Sequence, residues 1–436
     1  MVRQSKGKGR NPSKDETGLP VVNSENAIEF LIGIKAPDWK IKEIRQGIVE
    51  GDEVSHFHLE YTGDVPVCPD CGQTMKKHDE KDRIWRHANL DKTVCFLHAP
   101  VIRYRCPDCG TTIQADIPWA DPKVSYTRRF EQVAIEHLAE TSLSGTSRIL
   151  MCSWSVLDGI VDNVVNKYLD KLDLSKVTKI RVDETSAKKR HRYITVITDA
   201  VTDRIIFISK GKDSKTIGEF ANWLIDHGGN PLRIEVVSSD LGTAFVKGTR
   251  EYLPNAESVY DPFHVVQLGN IKLDKDRARN QENGERQKSI RYALLKNEVN
   301  LKDDEKVIVQ SIVEENKELG TSYAMNMALR KAMSYRGSAA KEYLTEWIKW
   351  VEEKGSMNFR SLAKTVKSHL DGIIRALELG INNGFQEGLN GMVQLTKAIA
   401  RGFHKEEKLS RMVWFRDCVR ALNGDALKGY MNCLRG

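Results

Sequence analysis

The pentapeptide Cys68-Pro-Asp-Cys71-Gly72 returns letter for letter as Cys106-Pro-Asp-Cys109-Gly110, and this duplication restricts the chain more than any other feature. A Cys-x-x-Cys turn followed by glycine directs two sulfurs at one point, and two such turns complete a tetrahedral four-cysteine site. The expectation is one structural Zn²⁺ held by Cys68, Cys71, Cys106 and Cys109. The 34 residues between Cys71 and Cys106 exceed the usual finger spacing and leave room for strands, among them Arg83 to Trp85 and Val101 to Tyr104. Disulfides or free thiols are the alternative use of these sulfurs. Against disulfides stands the N-terminus: Met1 to Gly18 carries Arg3, Lys6, Lys8, Arg10 and Lys14 around no apolar core, so it reads as a disordered basic tail and not as a secretory signal. Cys95, Cys152, Cys418 and Cys433 lack partners at ligand spacing and are expected to be small buried side chains.

A chain of 436 residues with 40% hydrophobic and 29% charged residues has room for several domains of ordinary globular make-up. No apolar run approaches the roughly 18 residues of a membrane span. The net charge of +7 is compatible with a polyanionic partner without requiring one. Ala27 to Ile34 is a short apolar stretch, and Val54 to Tyr61 reads as a strand. Beyond Pro118 and Pro122 the pattern becomes helical. Phe130, Val133, Ala134 and Leu138 share a face, Ser142 to Thr146 with Gly145 breaks the helix, and Ser147–Met151 and Ser153–Tyr168 continue as a short and a longer helix. The longer one carries the stripe Val156, Ile160, Val164 and Tyr168. Three helices with a tight break match a helix-turn-helix, whose last helix reads a major groove. A helical linker without DNA contact is the alternative.

The next stretch alternates with period two. Lys179 to Thr185 and Tyr193 to Thr198 form two antiparallel strands around a basic hairpin, and Arg204 to Ser209 forms a third. A helix from Thr216, a strand ending at Ser239-Asp240, a further helix, a strand Ser258 to Tyr260 and a long helix follow. This β-β-β-α-β-α-β-α order is that of a ribonuclease-H-like mixed sheet, in which the first and fourth strands lie side by side. Asp183, near the end of the first strand, and Asp240, after the fourth, then form a candidate metal pair, although each alone could be a turn former or helix cap. From Asp274 to about Lys354 the chain is helical and charged. Lys275, Arg277, Arg279, Arg286, Lys288 and Arg291 could face phosphates, or belong to a solvated face.

Between Leu377 and Gln394, Asn383, Glu387, Asn390 and Gln394 share one helical face and Leu377, Ile381, Phe385, Leu389 and Val393 another. Gly384, Gly388 and Gly391 also align. Each costs roughly 1 kcal/mol against alanine, which points to close approach of another backbone or a nucleic acid. A polar stripe with the single carboxylate Glu387 suits a metal or phosphate site.

The knuckles, the helix-turn-helix, Val182-Asp-Glu-Thr185, Ser239-Asp240, Asp261-x-Phe-His264 and Asn383-x-x-x-Glu387-Gly-Leu-Asn390 resemble bacterial insertion-sequence transposases of the ISL-three type, in the DDE superfamily. The resemblance runs from about residue 50 to 420 and departs at Gly391, where a second Asn is usual. It implies an α/β fold: a ribonuclease-H-like mixed sheet with an all-α insertion, preceded by a zinc-ribbon-like domain and a helix-turn-helix domain. The boundaries expected are 1–25 for the tail, 26–117 for the zinc domain, 123–172 for the helix-turn-helix, 173–275 and 366–436 for the catalytic core, and 276–365 for the insertion.

Asp183, Asp240 and Glu387 are the implied triad, holding two Mg²⁺ or Mn²⁺ ions, with Asp183 bridging. His264 lies in an Asp-Pro-Phe-His turn that is as readily structural, and is set aside from the catalytic set. Lys188, Lys189, Arg190 and Arg192 of the hairpin, with Asn383 and Asn390, are expected to touch DNA. The implied partners are double-stranded DNA, as terminal inverted repeats and target, and further copies of the chain in a dimer, with no membrane. The implied location is the bacterial cytoplasm, at the nucleoid. A zinc-containing helix-turn-helix regulator leaves the sheet without a role, and a ribonuclease-H-like nuclease outside transposition has less use for two DNA-reading modules.

Overall fold

The computed structural model describes residues 36–188, 192–211, 213–240, 243–279, 286–380, 384–403 and 405–421, leaving aside the side chains at 187–188, 192, 243, 286–289 and 384–387. The described residues form two compact units that divide between Val164 and Val165. Among them, no helix is long and apolar enough to cross a membrane.

In the first unit, β1 (Trp39–Val49), β2 (Asp52–Tyr61), β3 (Lys76–Leu90), β4 (Thr93–Arg105) and β5 (Thr112–Gln114) form one sheet in the order β1-β2-β4-β3, with β5 on β4. Trp119 packs edge-on against Trp39 and Trp85, with ring centroids 4.9 and 5.6 Å away. The short strands expected at Arg83 and Val101 are parts of one long β3–β4 hairpin. Strand β1 escaped the sequence reading because a bulge between Ile41 and Glu43 breaks its alternation and Ile44, Ile48 and Val49 face outward.

Three helices follow: α1 (Arg128–Glu140), α2 (Leu143–Leu150) and α3 (Trp154–Leu169). The Thr127 and Ser142 hydroxyls cap the first two by accepting from Phe130 N and Gly145 N, at 3.2 and 3.0 Å. Gly145 therefore lies inside α2, and the break expected there falls at Thr141–Ser142, where the cap side chain supplies the start signal. The buried stripe of α3 is Leu157, Ile160, Val161 and Val164, rotated from the expected one, with Val156 and Tyr168 only half-buried. In α1, Ile135 is buried and Val133 is not. The buried Arg86 of β3 donates to Leu150 O at 2.8 Å and to Cys95 O at 3.1 Å, tying the C-terminus of α2 to the hairpin.

One face of this sheet carries three histidines. His56 Nδ1 and His98 Nε2 are 2.6 Å apart, one ring donating to the other, and His58 stacks on His98 at 4.4 Å. Burial, and then the neighbouring His58 and His56, push His98 down to about 4. The unfolded imidazole titrates near 6.5, so between about 6.5 and 4 the unfolded chain binds more protons and stability is lost as the pH falls. After discounting for solvent screening, about 1 kcal/mol of this unit's stability should disappear between pH 7 and pH 5. Urea unfolding at the two pH values should show this loss in the wild type and a smaller one in His98→Gln; equal losses would contradict it.

In the second unit, β6 (Lys179–Lys188), β7 (Arg192–Asp199) and β8 (Ile205–Lys210) form an antiparallel meander, and β9 (Val236–Ser239) and β10 (Glu257–Tyr260) add in parallel beside β6. The order β10-β9-β6-β7-β8 is the ribonuclease-H arrangement. Helices α4 (Ser214–Asp226) and α5 (Thr243–Tyr252) cover one face, over Ile180, Val182, Ile197 and Val237.

From α6 (Pro262–Arg279) the chain turns helical, through α7 (Arg286–Leu295), α8 (Asp303–Glu315), α9 (Lys317–Ala332), α10 (Gly337–Lys354), α11 (Met357–Ser368) and α12 (Leu370–Leu379). They share a core that includes Leu273, Leu329, Trp347, Phe359 and Ile373. Inside it the Asp276 carboxylate accepts from Ser322, Ser356 and Asn358 at 2.6–2.7 Å. Arg277 is buried and donates to Asp274 at 2.8 Å, so it does not face phosphates; Lys275 and Arg279 are exposed. The last helices are α13 (Gly384–Ile399) and α14 (Glu406–Ala421). The fully buried Asp417 of α14 accepts from Arg204 Nε and Ile205 N, both at 3.3 Å, fixing the helix to the start of β8.

Candidate active site and cysteine centre

Strand β9 pairs with β6 with Arg181 opposite Ser238, and β10 pairs with β9 with Tyr260 opposite Ser239. Carried on by one or two residues, these registers bring Asp183, Asp240 and Asp261 to one edge of three adjacent parallel strands. Asp183 lies in the middle of β6, not near its end; the edge is made by β9 and β10, which stop at Ser239 and Tyr260. His264, one turn into α6, places Nε2 3.9 Å from Asp183 Oδ1 and 3.7 Å from Asp261 Oδ2. Sequence reasoning passed over Asp261 and set His264 aside. The signal was present: Asp261 follows its strand as Asp240 follows the neighbouring one.

Crowding shows in the electrostatics. Burial raises the Asp183 carboxyl above its usual range, and Asp240 adds to this, against the opposing hydrogen bond from Asn390 and the proximity of His264. Asp261, 1% exposed, is driven up to about 6 by burial and by Asp183, although the Phe263 and His264 amides favour its ionised form. Carboxylates whose charge is disfavoured by burial and by one another suit a hard cation, which supplies the missing counter-charge.

Helix α13 lies over this edge. Asn390 Nδ2 donates to Asp183 Oδ2 at 2.6 Å, Gln394 Nε2 to Thr185 Oγ1 at 3.0 Å, and Lys397 Nζ to Ser186 O at 2.6 Å. Leu389 and Val393 are fully buried. Asn390 thus meets an acid of the candidate set. Glu387 belongs to the same helix, three residues earlier; its side chain lies outside the described residues, as does all of Asn383. The side chains of Lys188 and Arg192, and the whole of Lys189 and Arg190, also lie outside them.

One expectation about this segment is corrected and a second is narrowed. The helix does not run unbroken from Leu377: α12 ends at Leu379, and Gly380 with φ +65° caps it. Glu378 therefore sits on another helix from Glu387, 3.3 Å from Arg375. At Gly388 and Gly391 an added Cβ would meet nothing within 4 Å, so no backbone of the described chain makes the close approach inferred from these glycines.

In the first unit, Lys76 pairs with Arg105 at the open end of the β3–β4 hairpin, which brings the knuckles before and after it together across their long separation. The knuckles are built alike. Gly72 N donates to Cys68 O and Gly110 N to Cys106 O at 2.9 and 3.1 Å, and the glycines adopt φ +75° and +77°, which disfavours any residue with a Cβ. Cys68–Cys109, Cys71–Cys106 and Cys71–Cys109 sulfurs are 3.5, 3.4 and 3.6 Å apart, and all four ligand atoms lie within 4.8 Å of one another. A disulfide needs about 2.05 Å, whereas sulfurs about 2.3 Å from a tetrahedral zinc are about 3.8 Å apart. Hydrogen bonding at Thr111 pulls the Cys109 thiol down to about 6, while Cys71, despite the Gln73 amide, is pushed up to about 12 by the sulfurs facing it. Four sulfurs brought this close are satisfied by a shared cation, which displaces their protons. Of the other cysteines, Cys95 and Cys418 are buried as expected, Cys152 is half-buried, and Cys433 lies outside the described residues.

A ribonuclease-H-like sheet with acids converging at adjacent strand ends, preceded by a four-cysteine ribbon and a helix-turn-helix, defines a DDE-type enzyme of DNA cleavage and strand transfer. The chain belongs to the ISL3 family of transposases: residues 180–413 match the family's transposase domain, 115–165 its helix-turn-helix domain, and 64–109 the zinc-finger of transposase IS204/IS1001/IS1096/IS1165. It is 28% identical over 375 residues to the transposase for insertion sequence element IS1557 of Mycobacterium tuberculosis, covering 78% of this chain and 83% of that one. It is 26% identical over 361 residues to the transposase for insertion sequence element IS1001 of Bordetella parapertussis, covering 80% and 88%. Among solved structures, the Drosophila P element transposase strand transfer complex aligns at TM-score 0.36 and 11% identity over 70% of this chain and 94% of that one, a distance at which it bears on neither fold nor site.

Proposed function

We propose that this transposase binds the terminal inverted repeats of its own insertion sequence and both cuts and joins DNA at the edge formed by Asp183, Asp240 and Glu387. The observation that carries this reading is the meeting of Asp183, within β6, and Asp240, just past the end of β9, beneath α13, the helix that carries Glu387. Asp183, from the strand nearest the sheet centre, would hold divalent cations, Mg²⁺ or Mn²⁺, together with Asp240 and Glu387. The chemistry such cations would supply when bound is activation of a water or 3′-hydroxyl and stabilisation of the leaving 3′-oxygen. The chain's own contribution is orientation: the Asn390 amide fixes Asp183 Oδ2, while Oδ1 accepts from Glu184 N at 2.7 Å and lies 3.9 Å from His264 Nε2. His264 favours the Asp183 charge from the α6 side, whereas Asp261, a second acid there, opposes it.

The four-cysteine site holds one structural Zn²⁺, and α3 lies in the major groove of the repeat. Contacts from Lys188, Lys189, Arg190 and Arg192 to phosphates, and from Asn383 to the substrate strand, complete the reading, with a dimer on DNA in the bacterial cytoplasm at the nucleoid. Incubated with duplexes carrying the repeats that flank its gene, the protein should nick at the repeat ends in Mg²⁺ or Mn²⁺ and not in chelator. Binding without any metal-dependent nicking would favour a regulator. Nicking indifferent to the repeats would favour a nuclease outside transposition.

A further inference from the structure

Beside the second knuckle a cavity of about 520 Å³ is lined by Lys76, His78 and Arg105 together with Cys106 to Gly110. The β3–β4 register sets Lys76 directly opposite Arg105, so both cations are fixed at the hairpin's open end by backbone pairing. Other cations nearby are already used: Lys77 pairs with Glu80 at 2.6 Å, and Arg103 pairs with Asp79. Lys76 and Arg105 are exposed and have no ion-pair partner among the described residues. Gly110, which its positive φ keeps free of a side chain, leaves Arg105 Nη2 3.8 Å from the point where a Cβ would begin, so the guanidinium lies over open backbone. Asp108 is the single carboxylate in the lining.

We propose that Lys76 and Arg105, with His78 beside them, form a cradle at the second knuckle for one or two phosphates of the DNA backbone. The inference rests on the end-binding reading above and adds a particular contact surface. A cleft wide enough for a phosphate, with two fixed unpaired cations against one carboxylate, is electrostatically suited to a polyanion, and a guanidinium supplies directed donors to phosphate oxygens. Such contacts position the protein without reading sequence. The competing role for these cations is internal: offsetting the negative charge that four thiolates leave on a bound dication.

The test is the full-length double variant Lys76→Gln/Arg105→Gln, measured with zinc content and with the salt dependence of binding to a repeat-bearing duplex. Each phosphate contact contributes about 0.9 to the slope of log affinity against log salt. The expected result is a slope shallower by roughly one to two units, with affinities for repeat and unrelated duplexes lowered alike. One zinc per chain should be retained at the wild-type rate against a chelator. A second pair, Lys77→Gln/Arg103→Gln, removes the internally paired cations and should change the slope by less than one unit. An unchanged slope in Lys76→Gln/Arg105→Gln with zinc intact would overturn the cradle, as would accelerated zinc loss, which would assign these cations to the metal's charge. Wild-type protein that ignores the repeats would refute the end-binding reading itself, and this inference with it.

Discussion

Asp183→Asn should abolish cleavage and strand transfer, by about 10³-fold or more, while the protein remains folded and bound to its repeats. Losing one of three carboxylates forfeits the several kcal/mol that a correctly held cation gives to the displacement, and each 1.36 kcal/mol is tenfold in rate. The asparagine is nearly isosteric, and its amide oxygen still accepts from Asn390 Nδ2, which donates to Asp183 Oδ2 at 2.6 Å. Burial already disfavours the ionised Asp183 carboxyl, so a neutral side chain there should not lower stability in chelator. Retained folding with lost cleavage separates a chemical role from a structural one. Asp240→Asn and Glu387→Gln should behave alike, and the three losses should not add, because the carboxylates act as one unit. Glu378→Gln is the internal control: on α12 and paired with Arg375, it should cut normally. Wild-type cutting by Glu387→Gln would remove Glu387 from the triad and leave the family assignment intact.

Cys68→Ser or Cys109→Ser should cost the chain its one zinc and melt the hairpin end, while Val165–Arg420 stays folded. Cys68 and Cys106 are 2% and 1% exposed in a small core with Met75, Ile102 and Tyr104, too few residues to order this end alone. Structural zinc provides on the order of 10 kcal/mol to such sites, so its loss exceeds what that core supplies. Repeat binding should fall toward the non-specific level, about 10³-fold weaker. Metal analysis and thermal scans of the variants decide the matter. Protein purified without chelator and free of zinc, or a variant whose hairpin melts with the wild type, would refute the structural role.

How far the sequence reached depends on whether a signal is local. The knuckles were legible because a metal turn writes itself into five consecutive residues. The three-strand meander and the alternation of later strands with helices were legible because side-chain period follows directly from backbone geometry. Where local pattern was perturbed, reading failed. The bulge in β1 hid a strand, and the Gly380 cap divided what looked like one helix between Leu377 and Gln394.

The site divides along the same line. From sequence alone came the candidate acids, the polar face of α13 and the order of strands that makes Asp183 and Asp240 neighbours. The tertiary structure decided that Asp261 and His264 share their edge and that Asn390 bonds Asp183 across 207 positions of chain. It also decided that Arg277 is buried against Asp274 and that Lys76 and Arg105 stand unpaired beside a knuckle. Strand register and helix docking bring together residues with no relation in sequence, and the pKa of a carboxyl is set by burial and by the charges that such packing places around it. Composition and periodicity carry neither quantity.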